Sequence, residues 1–133
     1  MRLNPDDRKY THEHEWVKLE DGGTGSAVAG ITDYAQDQLG DIVFVDLPNV
    51  GSTVTSMAKM GEIESVKSVS DIYSPISGEI VQENTKVKDQ PALVNSDPYG
   101  EGWLVRISMS EPSELENLLS AQQYEAFLVD QEE

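Results

Sequence analysis

Short runs in which apolar and polar residues alternate dominate the chain, and glycine, proline and asparagine punctuate them. After a polar lead from Met1 to Asp7, the alternation from Tyr10 to Leu19 predicts one strand. His12, His14 and Trp16 fall on one side of it, and Glu13, Glu15 and Val17 on the other. Glu20-Asp21-Gly22-Gly23-Thr24-Gly25 reads as an open turn, and Ala27 to Ile31 as a returning strand. Thr32 then suits a helix N-cap, Ile31, Ala35 and Leu39 recur at helical spacing, and Gly40 suits the stop, which predicts a short helix over about 33–39. Ile42-Val43-Phe44-Val45, ended by Pro48, is dense enough in apolar residues for a buried strand.

The stretch from Gly61 to Ile80 carries the pattern that matters most. Ile63 and Val66 flank Glu64-Ser65, and Val69, Ile72 and Ile76 recur beyond, before the punctuation of Ser74-Pro75 and Ser77-Gly78. Lys67 stands between these two strand-like runs, as at the tip of a hairpin held out into water. Farther on, a turn-rich segment from Asn95 to Gly102 leads into a last strand, Trp103 to Ile107. Ser110 or Glu111 then caps a helix carrying Leu115, Leu118 and Leu119. Ser120 with Gln123 makes a capping box for a second helix, with Tyr124, Phe127 and Leu128 on one face and a solvated tail from Asp130. These apolar stripes are expected to pack on the sheet.

An internal echo bears on the architecture. Gly40-Asp41-Ile42-Val43 and Gly78-Glu79-Ile80-Val81 share the wording Gly-acid-Ile-Val, and lead through Gly51–Val54 and Asn84–Val87 respectively. Two similar strand–turn–strand halves either side of Lys67 suggest a mainly β two-sheet sandwich with approximate two-fold symmetry.

Composition narrows the function. At 133 residues the chain suits one domain, residues 1–133, with a core over about 8–129. Nine basic against 25 acidic residues give a net charge of −16, which argues against nucleic acid and anionic membrane surfaces. It suits a soluble protein that docks on basic patches of larger partners. With no cysteine, there is no disulfide framework or thiolate metal site, and a redox group has to come from outside. The two histidines lack further ligands to complete a metal centre. The start has no apolar signal core or basic presequence, and no apolar run approaches membrane-spanning length, so a cytoplasmic protein is expected; separately, a monomer is expected.

A lone turn lysine is ordinarily just a solvated side chain. The wording around Lys67, however, resembles the lipoyl-attachment segment of the glycine cleavage system H-protein family: Glu64-Ser65-Val66-Lys67, Ser70-Asp71, then Ser74-Pro75-x-Ser77-Gly78-Glu79. The resemblance continues in order through His14-Glu15-Trp16-Val17, Gly30 to Gln36, Leu39 to Val45, Leu47-Pro48, Leu93-Val94-Asn95, Asp97 to Trp103 and Pro112 to Leu115. It implies a barrel-sandwich hybrid of the hammerhead-like kind, with lipoic acid joined to Lys67 by an amide. Glu64, Ser65 and Val66 would form the turn that a lipoate ligase or lipoyl/octanoyl transferase reads.

The family role implied is that of a non-catalytic carrier in glycine catabolism and one-carbon metabolism. The arm takes an aminomethyl group from glycine at the pyridoxal-phosphate decarboxylase (P protein), presents it to the tetrahydrofolate-dependent T protein, and is reoxidised by the flavin-containing L protein, dihydrolipoyl dehydrogenase. Glu15 and Asp71 match family positions lining the cleft for the loaded arm, where a carboxylate favours a cationic amine. Glu13 stands where many members have serine, and Met57 where the family commonly has glycine.

Met57-Ala58-Lys59-Met60 looks somewhat like the Ala-Met-Lys-Met of biotin carriers. A glycine stands eleven residues past the modified lysine in both carrier types, which fits Lys67 to Gly78 and not Lys59, so Lys59 reads as a surface residue of the strand leading to the hairpin. Three other readings stand beside the carrier of glycine cleavage. One is an H-like lipoyl donor for other enzymes; another is an enzyme using Lys67 as a Schiff-base former, which would want a buried amine of depressed pKa; the last is a purely structural acidic protein.

Overall fold

The computed structural model describes residues 4–20 and 25–132, so most of the turn expected at 20–25 lies outside the described residues. Among the described residues, nine strands form two antiparallel sheets. The larger has the order β1 (Lys9–Tyr10), β2 (Glu15–Leu19), β3 (Ser26–Ile31), β9 (Val105–Met109), β8 (Gly78–Glu83), β5 (Thr53–Val54). The smaller is β4 (Ile42–Asp46), β6 (Lys59–Ser65), β7 (Val69–Tyr73). The mainly β two-sheet sandwich expected from the internal echo and the resemblance is therefore present.

Its interior is built from β-branched and small residues of both sheets: Val17, Ala29 and Ile107 from the larger, Val45, Ile63 and Ile72 from the smaller. Fully burying each of the larger aliphatic side chains favours the fold by roughly 1.5–3 kcal/mol. A second cluster covers the outer face of β2 and β3. There Tyr10, Trp16, Tyr124 and Leu128 are buried, and Tyr10 stacks on Tyr124 at 4.8 Å. Trp16 lies over its cross-strand partner Gly30, where a Cβ would stand 2.7 Å from the indole ring. Only glycine leaves room for it.

Helix α1 (Asp33–Leu39) starts and stops where the sequence predicts. The Thr32 side chain accepts from Ala35 N–H, and Gly40 closes the helix at φ 80°. The capping box is also present: Ser120 N–H donates to Gln123 Oε1 at 2.9 Å, and Gln123 N–H to Ser120 Oγ at 3.1 Å. It opens α4 (Ala121–Glu132), which runs on through the exposed Asp130, where the solvated tail was expected.

Several expectations are corrected. Tyr10 to Leu19 is two antiparallel strands, with Tyr10 paired to Trp16. The chain reverses at Thr11–His14, with His14 at φ 72°, so the histidines do not share a strand face. The cause is Thr11, whose hydroxyl accepts from the N–H groups of both Glu13 and Glu15 at 3.1 Å, a turn that needs neither Gly nor Pro. β4 is not buried throughout: a register shift between Ile42 and Phe44 leaves Val43 54% and Phe44 51% exposed.

The echo holds for its opening Ile, buried in both copies, with Ile42 opening a strand of the smaller sheet and Ile80 sitting in the larger. Beyond it the halves differ: Thr53–Val54 is a strand, whereas Asn84 caps a helix, α2 (Thr85–Asp89). A further helix, α3 (Ala92–Ser96), precedes the turns around Asp97–Gly102, the last strand starts two residues later than expected, and Pro112–Asn117 is a 3-10 helix without a side-chain cap.

Candidate functional site

Strands β6 and β7 pair from Lys59↔Tyr73 to Glu64↔Val69, and the chain turns over Val66 and Lys67. Two-residue hairpin loops usually need residues at positive φ, yet neither Val66 nor Lys67 adopts one. Ser65 solves the problem instead. Its N–H donates to the Ser68 carbonyl at 2.8 Å, and its hydroxyl accepts from Lys67 N–H at 3.3 Å and Ser68 N–H at 3.1 Å. The serine, nearly buried, thus satisfies the tip from beneath while Lys67 is exposed above it.

The tip is also tied to the body of the protein. Val66 N–H donates to the Asp41 carbonyl at 3.0 Å. Asn95, on α3, holds both sides of that loop: its Oδ1 accepts from Ile42 N–H at 2.9 Å, and its Nδ2 donates to Gly40 O and Gln36 Oε1, each at 2.9 Å. The Lys67 stem lies over Gly40, where a Cβ would stand 3.4 Å from Lys67 Cε. Glycine at 40 stops α1 at positive φ, and a Cβ there would meet the stem only in ordinary van der Waals contact. Among the described residues, Lys67 Nζ has no ion-pair or hydrogen-bond partner.

The other predicted residues fall into two groups. Glu64 and Val66 are exposed beside the lysine, Val66 by 69%. Glu15 is 2% exposed. It points from β2 into the sandwich, where Oε1 accepts from the Thr11 hydroxyl at 2.7 Å and Oε2 from Tyr73 N–H at 3.2 Å. Burial pushes its carboxyl up to about 8, against the pull of those hydrogen bonds. Asp71 lies two residues back along β7 and is exposed, in an ion pair with Lys59 at 3.2 Å. Lys59 also meets Glu62 at 2.6 Å, and both hydrogen-bonded carboxylates, Glu62 foremost, raise the lysine pKa. As expected, Lys59 is a surface residue of β6. Glu15 and Asp71 thus have separate partners, one inside the fold and one on its surface.

A sequence model described as Glycine cleavage H-protein matches residues 8–131. The chain belongs to that family. It is 53% identical over 123 residues to the glycine cleavage system H protein of Symbiobacterium thermophilum, covering 92% of this chain and 94% of the relative. It is 47% identical to that of Carboxydothermus hydrogenoformans over the whole of both chains. The crystal structure of a glycine cleavage system H protein from Mycobacterium marinum superposes with a TM-score of 0.85 at 44% identity, covering 92% of this chain and 97% of that one.

Family members carry lipoate covalently, and the hairpin fits such a group. Its amine is exposed and unpaired, its turn is fixed by Ser65 and Asp41, and Val66, Val69 and Phe44 expose apolar surface around it. Residues that sequence reasoning missed are Thr11, Asp41 and Asn95. Asn95 stood within the family-like Leu93-Val94-Asn95, but its work depends on contacts across 53 to 59 residues of chain that no local pattern displays. No helix among the described residues is long and apolar enough to cross a membrane.

Proposed function

We propose that this chain, as one carrier domain over residues 1–133 with its core at about 8–129, bears lipoate in amide linkage on Lys67 Nζ and serves glycine cleavage without catalysing a step itself. The observation that carries the reading is the placement of Lys67: an exposed, unpaired amine at a hydrogen-bonded hairpin tip, within a chain of the H-protein family. Joined to Lys67, lipoate would supply a disulfide able to carry the aminomethyl group and the electrons of glycine from the P protein to the T and L proteins.

The chain's own residues present and orient. Ser65 fixes the turn, Asp41 and Asn95 fix the turn's support, and Gly40 ends α1 beneath the lysine stem. Glu64 and Val66 offer their exposed side chains to the acylating enzyme, a lipoate ligase or lipoyl/octanoyl transferase. Asp71 supplies an exposed carboxylate to a cationic amine in the loaded-arm cleft. Glu15, buried beneath Tyr73 and protonated at neutral pH, becomes a charged partner only when such an amine favours its ionisation. An exposed lysine is a poor Schiff-base former, since that chemistry relies on a depressed pKa gained by desolvation.

The test is the mass of the peptide containing Lys67 after incubation with lipoate ligase, ATP and lipoate. One lipoyl group is expected on Lys67 and none on Lys67→Arg. An adduct on Lys59, or on the Arg variant, would overturn the assignment. Restoration of glycine cleavage to the remaining purified enzymes by the acylated chain tests the carrier role.

A further inference from the structure

The outward face of the smaller sheet is built in rows that run away from Lys67. Register places Phe44, Glu64 and Val69 side by side across β4, β6 and β7, and places Asp46, Glu62 and Asp71 side by side in the next outward row. The first row is apolar on either side of one carboxylate, with Phe44 51% and Val69 58% exposed. The second is three carboxylates abreast. Like charges directly opposite one another in a sheet destabilise it, and Lys59 answers only Glu62 and Asp71. Among the described residues, Asp46 has no direct ion pair, and Lys88, itself bonded to Glu83, attracts it only from a longer range. Neither row helps the isolated fold: one leaves apolar side chains in water and the other gathers repelling charges.

We propose that this face is the docking surface for the enzyme that acylates Lys67, and that the enzyme meets it with an apolar surface rimmed by arginine or lysine. The inference rests on the reading of Lys67 as the acylated residue. Distance supports it: at ~3.3 Å per residue the apolar row lies about 10 Å from the lysine and the carboxylate row about 17 Å. A standard interface of about 800 Å² per partner, a disc of roughly 16 Å radius, centred beside the lysine reaches both rows. An apolar centre with a charged rim is the usual anatomy of such interfaces. Charge fixes the partner's sign, because an acidic row on a chain of net charge −16 attracts a basic surface and repels an acidic one.

Reach selects the acylating enzyme among the partners. Enzymes that act on the end of an attached arm work beyond the lysine by the arm's length. The acylating enzyme must bring its active site to Nζ itself, and so has to cover the residues next to it.

The experiment is steady-state acylation of the full chain by purified lipoate ligase with ATP and lipoate, read as the mass shift at Lys67. We expect Phe44→Ala and Asp46→Lys each to raise KM about tenfold while kcat stays within about twofold. Wild-type kcat/KM should also fall on moving from about 50 mM to about 500 mM salt, as screening predicts. Glu116→Lys, on the 3-10 helix, makes the same change in net charge at another exposed position and should leave KM unchanged. Wild-type KM in both face variants would overturn the docking surface while leaving acylation of Lys67 intact. A KM increase in Glu116→Lys equal to that in Asp46→Lys would overturn the localised charge, assigning the effect to net charge alone. Circular dichroism melts establish that each variant is folded at the assay temperature. Absence of a wild-type adduct at Lys67 would instead remove the reading on which the docking surface stands.

Discussion

Replacing Glu15 with glutamine tests whether this carboxyl is neutral inside the folded protein. Its ordinary value of 4.5 is pushed up to about 8 by burial, the hydrogen bonds from Thr11 and Tyr73 notwithstanding. Below about pH 4.5 the group is protonated whether the chain is folded or not. Between about pH 5 and 8 the folded protein holds a proton that the unfolded chain has released, so rising pH removes stability; above about pH 8 the loss is complete. At ~1.36 kcal/mol per pH unit the whole loss is about 5 kcal/mol, a large share of the roughly 5–15 kcal/mol that holds a domain together. Glutamine does not titrate, and so does not suffer the loss.

The variant will not be better at every pH. Thr11 Oγ1 already accepts two backbone N–H groups, so an amide NH₂ facing it lacks a good acceptor, at a cost of about 1 kcal/mol. Glu15→Gln should therefore be slightly the less stable protein at about pH 5 and the more stable one by several kcal/mol at about pH 8–9. Urea unfolding of both proteins across that range gives the difference profile. Taking the difference matters because burial lowers the His14 pKa, which makes stability rise with pH towards about 6.5 and masks the Glu15 slope in either protein alone. A flat difference from about pH 5 to 8 would show that Glu15 is ionised in the folded state, and would refute the reasoning.

Met57 holds φ 64° while its N–H donates to Ser74 O at 2.7 Å, so Met57→Gly should raise stability by about 1 kcal/mol, seen as a higher urea midpoint at unchanged slope. Gly78→Ala puts a Cβ 2.1 Å from the Ser108 carbonyl oxygen and 2.9 Å from Ile107 Cγ2, and should cost about 3 kcal/mol in the same assay, because backbone cannot swing aside. Asn95→Ala leaves Ile42 N–H and Gly40 O without their partner and should cost about 2–3 kcal/mol. Its particular signature is faster hydrogen exchange at Val66 N–H, bonded to the Asp41 carbonyl in the loosened loop; unchanged protection there would dissociate Asn95 from the hairpin.

What could be read from the sequence was whatever one element encodes by itself. Thr32 and Gly40 mark both ends of α1, Ser120 and Gln123 cap α4, and the runs around Lys67 form a hairpin, because capping and alternation act within a few residues. What could not be read depends on neighbours. The alternation across Tyr10–Leu19 conceals a reversal made by one threonine hydroxyl, and the apolar run at 42–45 conceals a register shift that turns Phe44 outward. Likewise the exposure of Lys67 at a hairpin tip was legible, while Glu15's burial against β7 required the second sheet to be in place.

The last helix begins 54 residues past the lysine, yet it is only a few bonded steps from it. Tyr124 on α4 reaches His14 Nδ1 at 2.7 Å and Thr32 Oγ1 at 2.8 Å through one hydroxyl. Thr32 begins the short helix whose far end, Gly40, underlies the Lys67 stem. Deleting the chain's final dozen residues would therefore withdraw a prop from the starting turn of that helix, and the slack would arrive at the amine itself.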